Sequence, residues 1–281
     1  MKKLITLLLI LSILTSFAAC GDMDDEEHIP TVRNGKLTVA FSPDFAPMEF
    51  VDLTKEGQDR YVGFDVTLAK FIAEHMNLEL VLVPMSFDAC LQALSEGTVD
   101  LSVSGYSWTQ EREDNFNLSD YYHTGRDEGE QVLITLAGNT GMYCDSADLA
   151  GARVGVQNAS LQEDLTREQL PDCRINRFVN LDDGVQLLLE GKLDCIAVAD
   201  ENADAIIAAN PEIIKSGYRF VVTEKQVGNI ILLPKGNDEM TALVNNILKK
   251  AEMYYETWYA DARSTAGIET SYDDEGNLIT E

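Results

Sequence analysis

The stretch Ser104-Gly105-Tyr106-Ser107-Trp108-Thr109-Gln110-Glu111-Arg112 holds the residue in this chain best suited to recognising a charged small molecule. It follows directly on an apolar run, 99–103, that reads as a strand, so it sits at the lip of a sheet. Thr109 is placed to cap a helix starting just after it, and that start aims Arg112 back across the lip. A guanidinium there suits a carboxylate, because its fork donates two parallel N–H bonds, each charge-assisted bond contributing about 1.5–3 kcal/mol. The local alternative is a surface arginine paired with Glu111 or Asp114. Other chemistry is thinner. His28, His75 and His123 are scattered and no cysteine pair has metal-ligand spacing, so neither a metal nor another cofactor is expected. Glu49, Glu201 and His123 are available as general acids or bases, but none has a convincing partner in the sequence.

The elements that must position Arg112 repeat in order. Residues 37–41 read as a strand, and Asp65 as the cap of a helix with Val66, Ala69, Ile72, Ala73 and Met76 on one face. A strand over 79–83 follows, then a helix with Phe87, Cys90, Leu91 and Leu94 at i, i+3, i+4, i+7, stopped by Gly97. With 99–103 this makes β-α-β-α-β, which right-handed crossovers fold into a parallel sheet covered by helices. The order recurs: a strand over 153–156, a helix opened by the capping-box pattern Ser160-Leu161-Gln162-Glu163, a strand over 175–179, a helix over 182–190 and a strand over 193–199. Strands over 131–136 and 227–233 connect the two units, and 238–258 reads as one long amphipathic helix. Two such lobes joined by two crossings place a ligand crevice between them, at the carboxyl ends of the strands.

The ends and the charge set the compartment. Of 281 residues, 48 are acidic and 21 basic, a net charge of −27 that repels phosphate backbones and removes nucleic acid from the expected partners. Lys2 and Lys3 precede an apolar run, 4–19, too short to span a bilayer, which ends in Phe17-Ala18-Ala19-Cys20. That ending resembles a bacterial lipoprotein signal, with Cys20 receiving the lipid; an ordinary secretory cut nearby is the alternative. Residues 20–36 read as an acidic tether. Cys90 and Cys195 read as buried thiols, and Cys144–Cys173 is the pair to test for a disulfide.

Taken together, Tyr61-Val62-Gly63-Phe64-Asp65-Val66-Thr67-Leu68-Ala69, Met85-Ser86-Phe87-Asp88-Ala89, Gly97-Thr98-Val99-Asp100, Thr109-Gln110-Glu111-Arg112 and Leu118-Ser119-Asp120-Tyr121-Tyr122 resemble the family-3 solute-binding proteins of amino-acid ABC transporters. In the second unit the matching runs are Val154-Gly155-Val156-Gln157, Gly191-Lys192-Leu193-Asp194 and Asp200. The resemblance covers 37 to about 259. It implies an α/β type II periplasmic-binding-protein fold of two lobes, each a mostly parallel sheet flanked by helices, joined by two hinge strands. Lobe 1 would comprise 37–131 plus 226–281 and lobe 2 132–225, after a signal peptide over 1–19. It further implies that Arg112 clamps the α-carboxylate of an amino acid, helped by Ser107 and the backbone near Gly105. Ser160 would offer the N-terminus of its helix to the same group, and Asp200 would take the α-ammonium. Phe45 and Phe87 would wall the pocket, with Tyr106 in the cleft and Trp108 packed inside; Asp65 and Asp194 would serve capping and lobe structure.

The chain departs from the family pattern at Ser42, where many members carry an acid, at Ala159, where a glycine is usual, and at Leu161, where a threonine often donates. The acidic stretch 126–130 reads as a solvated loop and 262–281 as a loosely ordered end. The function implied is an amino-acid receptor, monomeric and lipid-anchored on the extracytoplasmic side, that delivers its ligand to an ABC permease. The competing reading is an exported cyclohexadienyl or arogenate dehydratase on the same fold.

Overall fold

The computed structural model describes residues 30–123 and 130–268 and two short strands beyond them; Cys20 with its signal, residues 126–129 and most of the acidic tail lie outside the described residues. The first lobe is built from β1 (Lys36–Phe41), a small antiparallel sheet of β2 (Asp44–Phe45), β3 (Glu49–Val51) and β4 (Tyr61–Val62), then α1 (Phe64–His75), β5 (Glu79–Pro84), α2 (Phe87–Ser95), β6 (Leu101–Tyr106), α3 (Gln110–Asn115) and β7 (Phe116–Leu118). The chain then enters the second lobe: β8 (Gln131–Leu136), β9 (Arg153–Gln157), α4 (Leu161–Gln169), β10 (Arg174–Phe178), α5 (Leu181–Leu189), β11 (Cys195–Ala199), α6 (Asp200–Ala209) and β12 (Ile213–Arg219). It returns through β13 (Ile230–Pro234) to α7 (Asp238–Ala251) and α8 (Tyr255–Thr265), with β14 (Ser271–Tyr272) and β15 (Leu278–Ile279) paired antiparallel.

Each lobe has a five-stranded sheet, ordered β5-β1-β6-β13-β7 in the first and β10-β9-β11-β8-β12 in the second. In each, four strands run the same way and one, β13 in the first sheet and β8 in the second, runs antiparallel to both of its neighbours. The repeat extends to single bonds. Asp100 exchanges bonds with Thr38, its Oδ2 accepting the Thr38 N–H at 2.7 Å and its N–H reaching Thr38 O at 3.0 Å. Asp194 does the same with Arg153 at 2.7 and 2.9 Å, adding a side-chain ion pair to the guanidinium. Both aspartates follow a Gly-x-x turn and lock the strand that opens their sheet, the lobe-structure role expected of Asp194. The crossings between lobes are paired as well. Tyr122 and Asn229 exchange backbone bonds at 2.8 and 3.1 Å, and Ser119 N–H donates to Ile231 O. Two strand segments bonded side by side make a hinge that can bend with little shear.

Most expected elements form where periodicity placed them, with informative exceptions. Asp65 is not the cap of α1: Gly63 is, at φ 115°, where any Cβ would lie 2.3 Å from Met48 O, and Asp65 turns inward from the first turn. The strand read at 99–103 begins two residues later and runs on through Tyr106. The long helix read over 238–258 breaks at a 3-10 turn, Glu252–Tyr254. The break swings Tyr255, Trp258 and Tyr259 of α8 onto Phe64 of α1, with ring centroids 5.5–6.3 Å apart. The chain is already tied down at Val32, whose N–H donates to Asp100, so the stretch read as a tether through 36 ends sooner. Cys144 and Cys173 are free thiols, the first exposed and set against Gly217, the second packed on the core of lobe 2. Cys90 and Cys195 are buried, and burial pushes both thiols up to about 12.

Candidate functional site

Thr109 caps α3 as expected, accepting the Arg112 N–H at 3.1 Å. That geometry turns the Arg112 side chain inward, and the residue is 4% exposed. Its guanidinium lies against two rings, 5.4 Å from the Phe87 centroid and 5.2 Å from that of Tyr106. One terminal nitrogen donates to Ser107 O at 2.5 Å, the other crosses to lobe 2 and donates to Ala159 O at 3.0 Å. Neither Glu111 nor Asp114 pairs with it, and no carboxylate among the described residues lies within ion-pair distance. Burial pulls the Arg112 pKa down, outweighing the more distant charges of Asp164 and Glu111 that favour the cation. A cavity of about 420 Å³ opens beside it, lined by Leu91, Thr109 and Arg112 from lobe 1 and Ala159, Glu163 and Arg167 from lobe 2.

Opposite Arg112, the lobe 2 turn is built to present backbone. Ser160 caps α4 by accepting the Glu163 N–H at 3.1 Å, and Glu163 returns a bond from the Ala159 N–H at 3.1 Å. Burial alone would raise the Glu163 carboxyl, but bonds from Arg177 and Ala159 hold it below the usual range. Ala159 itself sits at φ 60°, a left-handed conformation that explains why glycine is usual there and that costs an L residue about 1 kcal/mol.

Further contacts join the lobe faces. Asp44 of β2 accepts the Leu181 N–H at 2.7 Å and the Gln157 side-chain amide at 3.1 Å, both from lobe 2, and the Ser42 hydroxyl at 2.7 Å. Asn202 donates to Ala46 O at 2.9 Å, Asn158 approaches Asp88 at 3.4 Å, and Tyr259 donates to Glu201 at 2.9 Å. Phe45, half-buried, packs against the lobe 2 cluster of Val132, Ile134, Leu181 and Val198. Gly105, at φ 54°, lets that ring approach; a Cβ there would stand 2.8 Å from it.

Beneath this surface lie two wholly buried acids. Glu49 accepts the Ser104 hydroxyl at 2.6 Å, and Asp65 accepts the Gly105 N–H at 2.7 Å and the Tyr122 hydroxyl at 2.9 Å. Glu49 Oε2 has no N–H or O–H donor among the described residues and is turned to Asp65. Burial, with the Asp65 charge beside it, pushes Glu49 well above the carboxylate range; burial raises Asp65 to about 6 against the bonds that stabilise its charge. One proton shared by the pair satisfies both.

Of the residues read from the sequence, Arg112, Phe87, Phe45, Gly105, Ser107 and Ser160 gather at this junction. Gly105 gives its N–H to Asp65, and Ser107 contributes its carbonyl. Tyr106 is a correction: it is fully buried, its hydroxyl on Ser102 at 2.9 Å, and supports Arg112 from below because β6 carries on through it. Trp108, expected inside, is half-buried, with Lys225 4.3 Å above its ring. Asp200 lies at the start of α6, its carboxylate 2.7 Å from Lys215, which also pairs with Asp204. Glu49 was read from the sequence only as a possible general acid or base, and Asp44 was not read at all, its contacts lying across the lobes at Gln157 and Leu181. Among the described residues no group of three or more His, Cys, Asp or Glu side chains is placed to hold a metal ion, and no helix is long and apolar enough to cross a membrane.

Two α/β lobes on a paired hinge, closing over a buried guanidinium, define a two-lobed solute-binding protein with the type II periplasmic-binding-protein fold. Residues 37–260 match the bacterial extracellular solute-binding proteins, family 3, and the chain belongs to that family. It is 30% identical to the arginine-binding extracellular protein ArtP of Bacillus subtilis over 260 residues, 90% of this chain and 93% of that one. It is 26% identical to a probable histidine-binding protein of Campylobacter jejuni over 266 residues, 90% of this chain and all of the other. Among solved structures it is similar to AbpA of Streptococcus pneumoniae, an amino acid ABC transporter substrate-binding protein bound to L-arginine. There the TM-score is 0.75 at 31% identity, covering 84% of this chain and 97% of that one.

Proposed function

We propose that the protein captures an amino acid between its lobes and delivers it to the permease of an ABC importer, acting as a monomer anchored outside the membrane through lipid on Cys20. The observation that carries this reading is Arg112: a buried guanidinium at the lobe junction, lying against the rings of Phe87 and Tyr106, with no protein carboxylate among the described residues within ion-pair distance. A ligand carboxylate supplies the charge that Arg112 lacks from lobe 1, while the N-terminus of α4 after Ser160 offers its backbone N–H groups to the same group from lobe 2. A ligand bridging both lobes binds the closed form more tightly than the open one, and that difference drives closure. The arginine- and histidine-binding relatives make basic amino acids the first to test.

The chain is read as a receptor rather than a dehydratase, because the groups available for acid–base work are committed elsewhere. Glu49 is sealed under Ser104, Glu201 takes the Tyr259 hydroxyl, and His123 packs between the rings of Phe64 and Tyr259. Calorimetry against the common amino acids tests the reading. Arg112→Ala should weaken the best ligand at least 100-fold while the circular dichroism spectrum is unchanged; unaltered affinity, or turnover of a cyclohexadienyl acid, would refute it.

A further inference from the structure

We propose that Glu201 and Tyr259 are positioning residues that set how long the closed form lasts, by joining α6 of lobe 2 to α8 of lobe 1 away from the ligand. The proposal deepens the amino-acid-receptor reading and rests on it.

The seam follows from the spacing of residues on two helices. Glu201 and Asp204, three apart, share a face of α6, and Tyr259 and Arg263, four apart, share a face of α8. These faces meet across the lobes. The Tyr259 hydroxyl donates to Glu201 Oε2 at 2.9 Å, and the Arg263 guanidinium lies 3.7 Å from Asp204 Oδ2. His123, at the end of the first crossing, brings its Nε2 to 3.7 Å from the same Glu201 oxygen. Tyr259, Arg263 and His123 are all buried. Burial and the Glu201 charge push the Tyr259 hydroxyl well above its usual range, so it remains a donor.

Each side of the seam is backed by its own lobe. Lys215 of β12 lies 2.7 Å from both Asp200 and Asp204, which pins the start of α6 to the lobe 2 sheet. The Tyr259 ring packs 6.2 Å from Phe64 of α1 and 4.2 Å from His123. Asn202, next along α6, donates to Ala46 O, so the first turn of that helix meets lobe 1 at two separate places. Groups already fixed by packing lose little side-chain freedom when they bond, and a carboxylate acceptor makes the bond a charge-assisted one. Neither Glu201 nor Tyr259 lines the cavity beside Arg112. Breaking their bond thus takes stabilisation from the closed form alone and leaves the contacts of the ligand in place. Release quickens, while capture by the open form is unchanged.

The test is stopped-flow tryptophan fluorescence with the tightest-binding of the common amino acids, L-arginine tried first, on wild type, E201A, Y259F, E201Q and the E201A/Y259F double variant. Melting temperature without ligand checks that each variant folds. E201A and Y259F should each raise koff about 10-fold with kon within about 2-fold of wild type, since one charge-assisted bond is lost from the closed form only. The double variant should release no faster than the faster single one, because the same bond is lost once. E201Q keeps an oxygen for the Tyr259 hydroxyl and should stay within about 3-fold of wild type. An unchanged koff in both single variants, a change carried by kon, or E201Q releasing as fast as E201A would overturn the proposal while leaving the receptor reading intact. A wild-type protein that binds no amino acid would overturn the receptor reading and the proposal with it.

Discussion

Replacing Glu49 with Gln should stabilise the protein at neutral pH, the reverse of what removing a buried hydrogen-bonded acid usually does. Burial and the facing Asp65 carboxylate both oppose the Glu49 charge and push its carboxyl well above the usual range. An acid raised in the fold supports stability at low pH, where both states hold the proton, and that support is lost as pH climbs above the unfolded value. The ordinary glutamate value is 4.5, so taking a proton up again at pH 7 costs the folding chain at most about 3 kcal/mol at about 1.36 kcal/mol per pH unit. Glutamine needs no proton. Its Oε1 still accepts from Ser104 and its amide donates to Asp65, so the hydrogen bonds survive. Urea unfolding followed by tryptophan fluorescence should therefore show E49Q more stable than wild type by up to ~3 kcal/mol at pH 7, with the difference falling towards zero near pH 4.5. The same difference at both pH values, or a loss at pH 7, would mean that Glu49 is ionised in the fold and that no proton is shared with Asp65.

Two backbone positions give simpler tests. Ala159→Gly relieves the left-handed conformation at φ 60° and should raise stability by roughly 0.5–1 kcal/mol in urea unfolding; a loss would show that the Ala159 methyl is packed rather than strained. Gly105→Ala forces a side chain into φ 54° and puts its Cβ 2.8 Å from the Phe45 ring, so it should cost about 2–3 kcal/mol. The same assay reads it, and a cost under about 1 kcal/mol would mean that Phe45 swings aside.

The local grammar of this chain was readable because its causes are local. Ser160 and Thr109 cap helices through bonds three residues long, and α1 and α2 bury the faces their periodicity marks. Arg112 was readable for the same reason, since Thr109 fixes its direction. What was missed depends on partners far along the chain. Asp44 acquires its meaning from Gln157 and Leu181, and the Lys215 partner of Asp200 lies on β12, a strand whose polar residues hide it from any alternation rule. Glu49 looks like a loop acid until Ser104 and Asp65 close over it. The break after Ala251 is invisible in the apolar stripe, because what decides it is the landing of three aromatic rings on Phe64.

Few polar contacts hold the lobes together, and this bears on how the proposed receptor would work. Arg112 to Ala159 O, Asp44 to Leu181 and Gln157, and Asn202 to Ala46 O are polar contacts, each worth about 0.5–1.5 kcal/mol net. A sum of that size favours closure by only a few kcal/mol before the cost of ordering the hinge, so the closed state is reachable but not locked. Two of these contacts leave a full charge under-compensated: the guanidinium bonds to carbonyls, the carboxylate to amides and a hydroxyl. Exchanging neutral partners for an opposite charge roughly doubles the strength of each bond. Under the proposed function a ligand carboxylate on Arg112 would stabilise the closed form, and losing that charge should weaken binding without unfolding either lobe.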